Sequence, residues 1–398
     1  MRLWSDFERT LDPPVDRSAP WYQSLDNLRG SDWDAIRQIF ESWLDFVPPK
    51  RRDEVVRNFK SAEPHQCHAA VTELFVAFWL CDLGYHVDSC DFGELNPDYL
   101  VSDREGNALI VEVTTLNDAP DVVAQMRRNN QLLDSIDRAA ARVHDLPPIA
   151  LHASFWKTGE VSLAVRSQIA SVHAWLREIH DQACLGSRPQ TTLWFLAKQG
   201  DSMPKIEYVT LESELDLFFF GRQFESQDWD WIVSLSPIPL NPSTGPEGRG
   251  RIGVSGRGQA WQLSEPRITD AVLKKVSKYR STLKDVGLPF VVVVGNAEWL
   301  GSSHDFGTLD SIFNGSITQH LDSNLRTVGF TRRANGLWAQ GSRVSQLNGV
   351  LALNSAGWET ARLSLDGASW NPALNGSAAL ELIRSEVPEI SNQAVPNI

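Results

Sequence analysis

Residues 96–115 read NPDYLVSDREGNALIVEVTT. Two short apolar runs, Asp98 to Ser102 and Ala108 to Thr115, flank the polar stretch Asp103 to Asn107, a pattern that predicts two strands joined by a turn. Each run carries an acid that a strand has no ordinary use for. Asp98 follows Pro97, whose ring fixes the way into the sheet and leaves the carboxylate near the strand end. Glu112 interrupts the otherwise continuous apolar run Ala108-Leu109-Ile110-Val111-Glu112-Val113. A carboxylate in such a setting is costly unless a cation or a hydrogen-bond network meets it, so both positions call for a charged site.

Upstream, Ala62 to Leu83 has a helical pattern that is apolar nearly all round, and Gly84 follows as a natural stop. Glu73 lies in its middle, among Ala69, Ala70, Leu74, Phe75, Ala77, Phe78 and Trp79. It poses the same question as Glu112. Tyr85 to Cys90 reads as a further strand. Downstream, Asp121 to Val143 predicts a long helix with an apolar stripe, and Ile149 to Phe155 another strand. The order is therefore helix, three strands, helix, strand, an α/β arrangement. Three carboxylates on three elements of one compact unit suit a hard divalent cation, which takes clustered carboxylate oxygens plus water.

Further out, residues 1–61 read as an N-terminal helical extension, with Ser31 as a cap for a helix bearing Trp33, Ile36, Ile39, Phe40 and Trp43. Val161 to Ala183 predicts a helix, and Thr192 to Ala197, Ile206 to Leu211 and Trp231 to Pro237 predict strands. Residues 239–258 form a loop rich in Pro, Gly and Arg. Its Gly248-Arg249-Gly250-Arg251-Ile252-Gly253 matches a dinucleotide fingerprint in letters, without the strand-to-helix setting that motif needs. Arg267 to Val286 is a helix striped by Ile268, Val272, Val276, Tyr279 and Leu283, with Arg267, Lys274 and Lys278 on the far side. Phe290 to Val294 reads as a strand covered on both faces. The expected domains are 1–61, an α/β domain over 62–300 with an insertion around 185–262, and a C-terminal extension over 301–398 packed on the same body.

The bulk properties narrow the function classes. A net charge of −13 argues against a protein that coats nucleic acid with its whole surface. Any such ligand must meet local cations: Lys50-Arg51-Arg52 with Arg57 and Lys60, the pair Arg127-Arg128, Arg249, Arg251 and Arg257, or Lys274 to Lys284. The four cysteines form no C-x-x-C pair and suit reduced thiols in a cytoplasmic protein. The start of the chain lacks the pattern of a secretory signal, and no apolar run is long enough to span a membrane.

The stretches Thr72-Glu73-Leu74, Leu83-Gly84-Tyr85, Asn96-Pro97-Asp98-Tyr99 and Val111-Glu112-Val113-Thr114 resemble, in matching order, the helix, PD and (D/E)XK motifs of the PD-(D/E)XK nucleases. The resemblance covers about residues 62 to 160. It extends more loosely to Lys275-Val276-Ser277-Lys278-Tyr279 and Pro289 to Val294. It implies a restriction-endonuclease-like mixed sheet flanked by helices, and a metal-dependent endonuclease that hydrolyses phosphodiester bonds of DNA. Asp98, Glu112 and the Val113 carbonyl would then hold Mg²⁺ or Mn²⁺, with Glu73 as auxiliary acid. Thr114 stands where the family has its Lys; Gln125, Arg127, Arg128, Gln131 and Lys157 offer replacements. Arg127, Arg128, Lys274 and Lys278 are the expected nucleic-acid contacts. A homodimer, a defence-system partner protein and a role against foreign DNA are compatible with such a fold. The alternative is a catalytically inactive descendant that binds nucleic acid or a partner.

Overall fold

The computed structural model describes residues 2–11, 19–93, 96–116, 120–140, 150–160, 169–184, 191–198, 205–210, 223, 228–238, 253–256, 265–296, 313–314, 317–321, 327–333, 335–354, 364–371, 374 and 377–387. The chain forms two compact units, one drawn from Met1–Thr10, Trp21–Asp118 and Gln262–Ile398, the other from Leu11–Pro20 and Ala119–Trp261.

The first unit opens with helices α1 (Trp21–Asn27), α2 (Ser31–Leu44), α3 (Pro49–Phe59) and α4 (Pro64–Asp82), followed by strands β1 (His86–Asp88), β2 (Tyr99–Ser102) and β3 (Ala108–Leu116). Ser31 is the first helical residue of α2, not its cap; Gly30, at φ 117°, precedes it with no side-chain cap bond. Proline at the first turn starts α3 and α4, where a missing N–H costs nothing. The end of α4 is a Schellman motif. Gly84, at φ 95°, donates to the Cys81 carbonyl and Tyr85 to the Leu80 carbonyl, which turns the chain directly into β1. Trp4, Trp21, Tyr22, Phe40, Trp43 and Phe59 interlock beside α4 through edge and stacked ring contacts, which accounts for part of the high tryptophan count.

The second unit holds α5 (Pro120–Ala140), β4 (Ala150–Lys157), α6 (Ile169–Cys184), β5 (Thr191–Ala197), β6 (Lys205–Thr210), β7 (Trp231–Ile238) and β8 (Gly253–Gly256), with its sheet in the order β6-β5-β7-β4-β8. Leu132, Leu133 and Ile136 of α5 and Trp175, Leu176 and Ile179 of α6 pack on one face of that sheet. Trp156, Trp194, Leu196 and Ile232 cluster on the other.

Back in the first unit come α7 (Glu265–Val286), β9 (Phe290–Asn296), the two-stranded ribbon β10 (Ile317–Leu321) and β11 (Thr327–Arg332), a 3₁₀ segment (Leu337–Val344), β12 (Gly349–Asn354), β13 (Ser364–Trp370) and α8 (Glu381–Glu386). The main sheet is mixed, in the order β1-β2-β3-β9-β12-β13. β1, β2 and β3 form an antiparallel meander; β9 runs parallel to β3 and β12; β13 closes the far edge antiparallel. The four consecutive valines 291–294 of β9 are buried on both faces, as a strand between parallel neighbours requires. Ile268, Val272, Val276, Tyr279 and Leu283 of α7 pack with Ile110, Phe290, Val292 and Val294 on one face. On the other face α4 comes close enough for Thr72 to meet Thr115.

One expectation needs correction. The inserted unit begins at Ala119, not near 185, so α5, β4 and α6 belong to the second unit, and the helix and strand that follow β3 in the main sheet are α7 and β9. Periodicity cannot distinguish two helix–strand pairs of similar pattern. The stretch 301–398, expected as an extension packed on the same body, lies in the first unit and gives β12 and β13 to the main sheet. Arg249, Arg251 and Arg257, with nearly all of the 239–258 loop, lie outside the described residues. Among the described residues no helix is long and apolar enough to cross a membrane.

The close approach of α4 depends on Gly295, where an added Cβ would lie 2.8 Å from Thr72 Cγ2 and 2.9 Å from its Oγ1. Gly295→Ala is expected to destabilise the protein by about 1–3 kcal/mol through overpacking, read as a lower urea midpoint. An unchanged midpoint would mean that α4 is free to shift.

Candidate functional site

The meander and α7 bring the acids together. Asp98 stands immediately before β2, and its backbone N–H donates to Glu112 Oε2 at 3.1 Å, while the Val113 N–H donates to Asp98 Oδ2 at 2.8 Å. Each carboxylate thus accepts from the neighbouring strand, which locks both at the end of the β2–β3 ladder. Glu112 shares a face of β3 with Ile110, Thr114 and Leu116, because alternate residues point the same way. That face meets α7. Glu73 reaches in from α4, and its backbone carbonyl accepts the Tyr99 hydroxyl.

Cations fill the gaps between the acids. Arg51 Nη2, from α3, lies 2.8 Å from Glu73 Oε2 and 2.8 Å from Asp98 Oδ1. Lys275 Nζ, from α7, donates to Glu112 Oε1 at 2.6 Å, and the Tyr279 hydroxyl donates to the same oxygen at 3.2 Å. Lys278 donates to the Tyr279 hydroxyl at 2.5 Å. These groups line a pocket of about 480 Å³, with Lys50, Glu54, Asp91 and Asn96 also on its wall. Glu112 is 1% exposed, so its charge depends on its partners and not on water.

The electrostatics follow from that crowding. Burial and then Asp98 push the Glu73 carboxyl up to about 8, against the pull of Arg51. Burial and Asp98 raise Glu112 to about 7, against Lys275 and Lys278. Burial opposes the charge on Arg51, and Asp98 with Glu73 outweighs it, so the guanidinium is held above its ordinary range. Burial, then Asp98 and Glu112, lift the nearby Cys90 thiol to about 12. Burial dominates the shifts of all three acidic groups, with crowding by Asp98 second. Both carboxyls therefore hold a proton more tightly than a solvated carboxyl does.

Of the residues expected at the site, Glu73, Asp98 and Glu112 share the pocket, and Thr114 lies on the Glu112 face of β3, half-buried. The Val113 group seen in use is its N–H. Lys278 lines the pocket and, with Lys274 and Arg343, an adjoining groove on α7 of about 550 Å³. Arg127, Arg128, Gln125, Gln131 and Lys157 belong to the second unit. The basic run at α3 does not act as one patch: Arg51 turns inward, Arg52 caps α2 through the Val47 and Asp45 carbonyls, and Lys50 pairs with Asp91 at the surface. Sequence reading missed the inward roles of Arg51, Lys275 and Tyr279. Lys275 had a signal: it lies one helical turn before Tyr279, on the striped side of α7 and not with Lys274.

Among the described residues no group of three or more His, Cys, Asp and Glu side chains is arranged to hold a metal ion. The acids are instead met by Arg51 and Lys275. Comparison with family models, with curated proteins and with solved structures finds no match to this chain.

A carboxyl whose affinity for protons is higher folded than unfolded stabilises the fold at low pH and loses that contribution as pH rises through its folded value. For Glu112 and Glu73 the window runs from the ordinary 4.5 up to about 7 and about 8. The melting temperature is expected to fall across that window, and the Glu73→Gln, Glu112→Gln double variant to flatten the fall. A wild-type curve that matches the double variant, or rises with pH, would contradict the assignment.

Proposed function

We propose that this protein is a metal-dependent nuclease of the PD-(D/E)XK type that hydrolyses phosphodiester bonds of DNA. One observation carries the reading: Asp98, Glu112 and Lys275 meet at the end of an antiparallel strand pair, beside a helix acid, Glu73. The order α4, β1, β2, β3, then α7 and β9 supports it, since α7 and β9 supply the crossover that a parallel β3–β9 pair needs.

The donor set suits Mg²⁺ or Mn²⁺. Two adjacent carboxylates with room for water meet the demand of a hard cation that keeps much of its hydration, and Asp98 adds to the burial that raises the Glu112 and Glu73 carboxyls, so acids crowd one another there. Asp98 and Glu112 would hold the ion, with the Val113 carbonyl beside them. When bound, such an ion supplies Lewis acidity to the phosphate and lowers the pKa of a water. The protein's own groups orient the rest. The Val113 and Asp98 N–H groups fix the two carboxylates, and Tyr279 holds Glu112 Oε1 in place. Lys275 brings to Glu112 the ammonium that Thr114 cannot supply. Lys278, Lys274 and Arg343 give the anionic backbone a basic groove next to the pocket.

A second reading, a binding module without chemistry, is favoured by one feature: Arg51 and Lys275 already neutralise the acids. Incubation with plasmid and linear DNA plus Mg²⁺ or Mn²⁺ separates the two. The nuclease reading expects cleavage that Asp98→Asn and Glu112→Gln abolish and that Lys275→Met lowers by on the order of a hundredfold or more. DNA binding without cleavage in either metal supports the module. Cleavage that survives Glu112→Gln would sink the nuclease site.

A further inference from the structure

Arg51 is held differently from the other pocket cations. It comes from the first turn of α3, and its guanidinium lies 5.7 Å from the centre of the Tyr99 ring. Arginine pairs with a carboxylate most favourably as a fork, two parallel N–H groups on the two oxygens of one acid. Here a single nitrogen, Nη2, sits 2.8 Å from an oxygen of each of two different acids, Glu73 and Asp98. Its Nε is shut away from solvent with no hydrogen-bond partner among the described residues. The side chain gives up part of its donor capacity to place one positive nitrogen between two carboxylates. That is the contact pattern of a point charge, not of the planar recognition that distinguishes Arg from Lys.

We infer that Arg51 is an exchangeable counter-ion: its Nη2 occupies the space between Glu73 and Asp98 in the metal-free protein, and uptake of a divalent cation by the pocket displaces the guanidinium. The inference rests on the reading of the pocket as a cation site. Asp98 belongs to both arrangements, since it pairs with Arg51 and stands beside Glu112, so a cation that draws on Asp98 competes with Arg51 directly. Two positive charges within contact distance of one half-buried carboxylate repel each other, and the long arginine stem is the movable partner. Its neighbour on the same turn, Lys50, already reaches the surface at the pocket rim, where it pairs with Asp91. Displacement in that direction turns Arg51 from an internal counter-ion into a free cation facing an incoming anion.

The test is calorimetric titration of Mn²⁺ into the wild type, Arg51→Met and Arg51→Lys near pH 7, with melting curves with and without the metal. Removal of the competing charge is expected to tighten Mn²⁺ binding by at least about tenfold in Arg51→Met, with Arg51→Lys closer to wild type. Metal-free Arg51→Met is expected to melt below wild type, and saturating Mn²⁺ to shrink the gap. Equal affinities in wild type and Arg51→Met overturn the exchange and leave the cation site standing; no uptake by either overturns both. Should Arg51→Met fail to fold, nitrogen-15-labelled wild type decides: the Arg51 Nε resonance, assigned with Arg51→Lys, shifts on saturation with Mg²⁺, and an unmoved resonance overturns the exchange.

Discussion

Three acids with little access to water cannot stand together at the end of a sheet unless positive charge or protons stand with them. Glu73, Asp98 and Glu112 meet that condition through Arg51 and Lys275, and the pairing ties α3, α4, the β2–β3 ladder and α7 to one another. Such a buried network is weak as a source of net stability, because each charge loses its hydration, but loss of one partner leaves an uncompensated charge inside. The residues involved are therefore strongly constrained. Two of the three acids, Glu73 and Glu112, are pushed toward neutrality even with both cations present, first by burial and then by Asp98. Buried acids with raised proton affinity gathered in one pocket make it a functional candidate and not merely a tie between elements.

The scaffold explains why the groups arrive where they do. β9 is apolar on both faces and lies between two parallel neighbours, so the sheet closes around it. A parallel β3–β9 pair demands a crossover, and α7 supplies its last leg, which runs over the Glu112 face of β3. Lys275 and Tyr279 follow from that path: they are one helical turn apart on the side of α7 that packs against the sheet. The ammonium that meets Glu112 on the strand comes from the helix. Gly295 does the corresponding service on the opposite face, where its missing side chain lets α4 settle on the sheet through Thr72, next to Glu73 in the chain.

The insertion of a whole unit between β3 and α7 is physically cheap. The cost of closing a loop grows only slowly with its length, and a stretch that forms its own sheet and core, as α5 to β8 do, orders itself independently. The same fact misled the sequence reading. α5 and β4 repeat the helix–strand pattern expected after β3, and local periodicity contains no information about which of two similar strands pairs with it.

What the sequence by itself determined is local: the helix that ends at Gly84, the strands on either side of the Asp103 to Asn107 turn, the apolar stripe of α7 and the valine run of β9, and the demand for counter-charge at Glu73, Asp98 and Glu112. Those features are written in spacing and composition, because propensity and periodicity act over a few residues. Only the tertiary structure decided that Lys275, 163 positions beyond Glu112, is the ammonium that meets it, and that Arg51 faces inward while Arg52 and Lys50 do not. Neighbouring cations on a helix look alike in a sequence, and which of them turns toward an acid is settled by the rotation of the helix against a sheet assembled from distant parts of the chain.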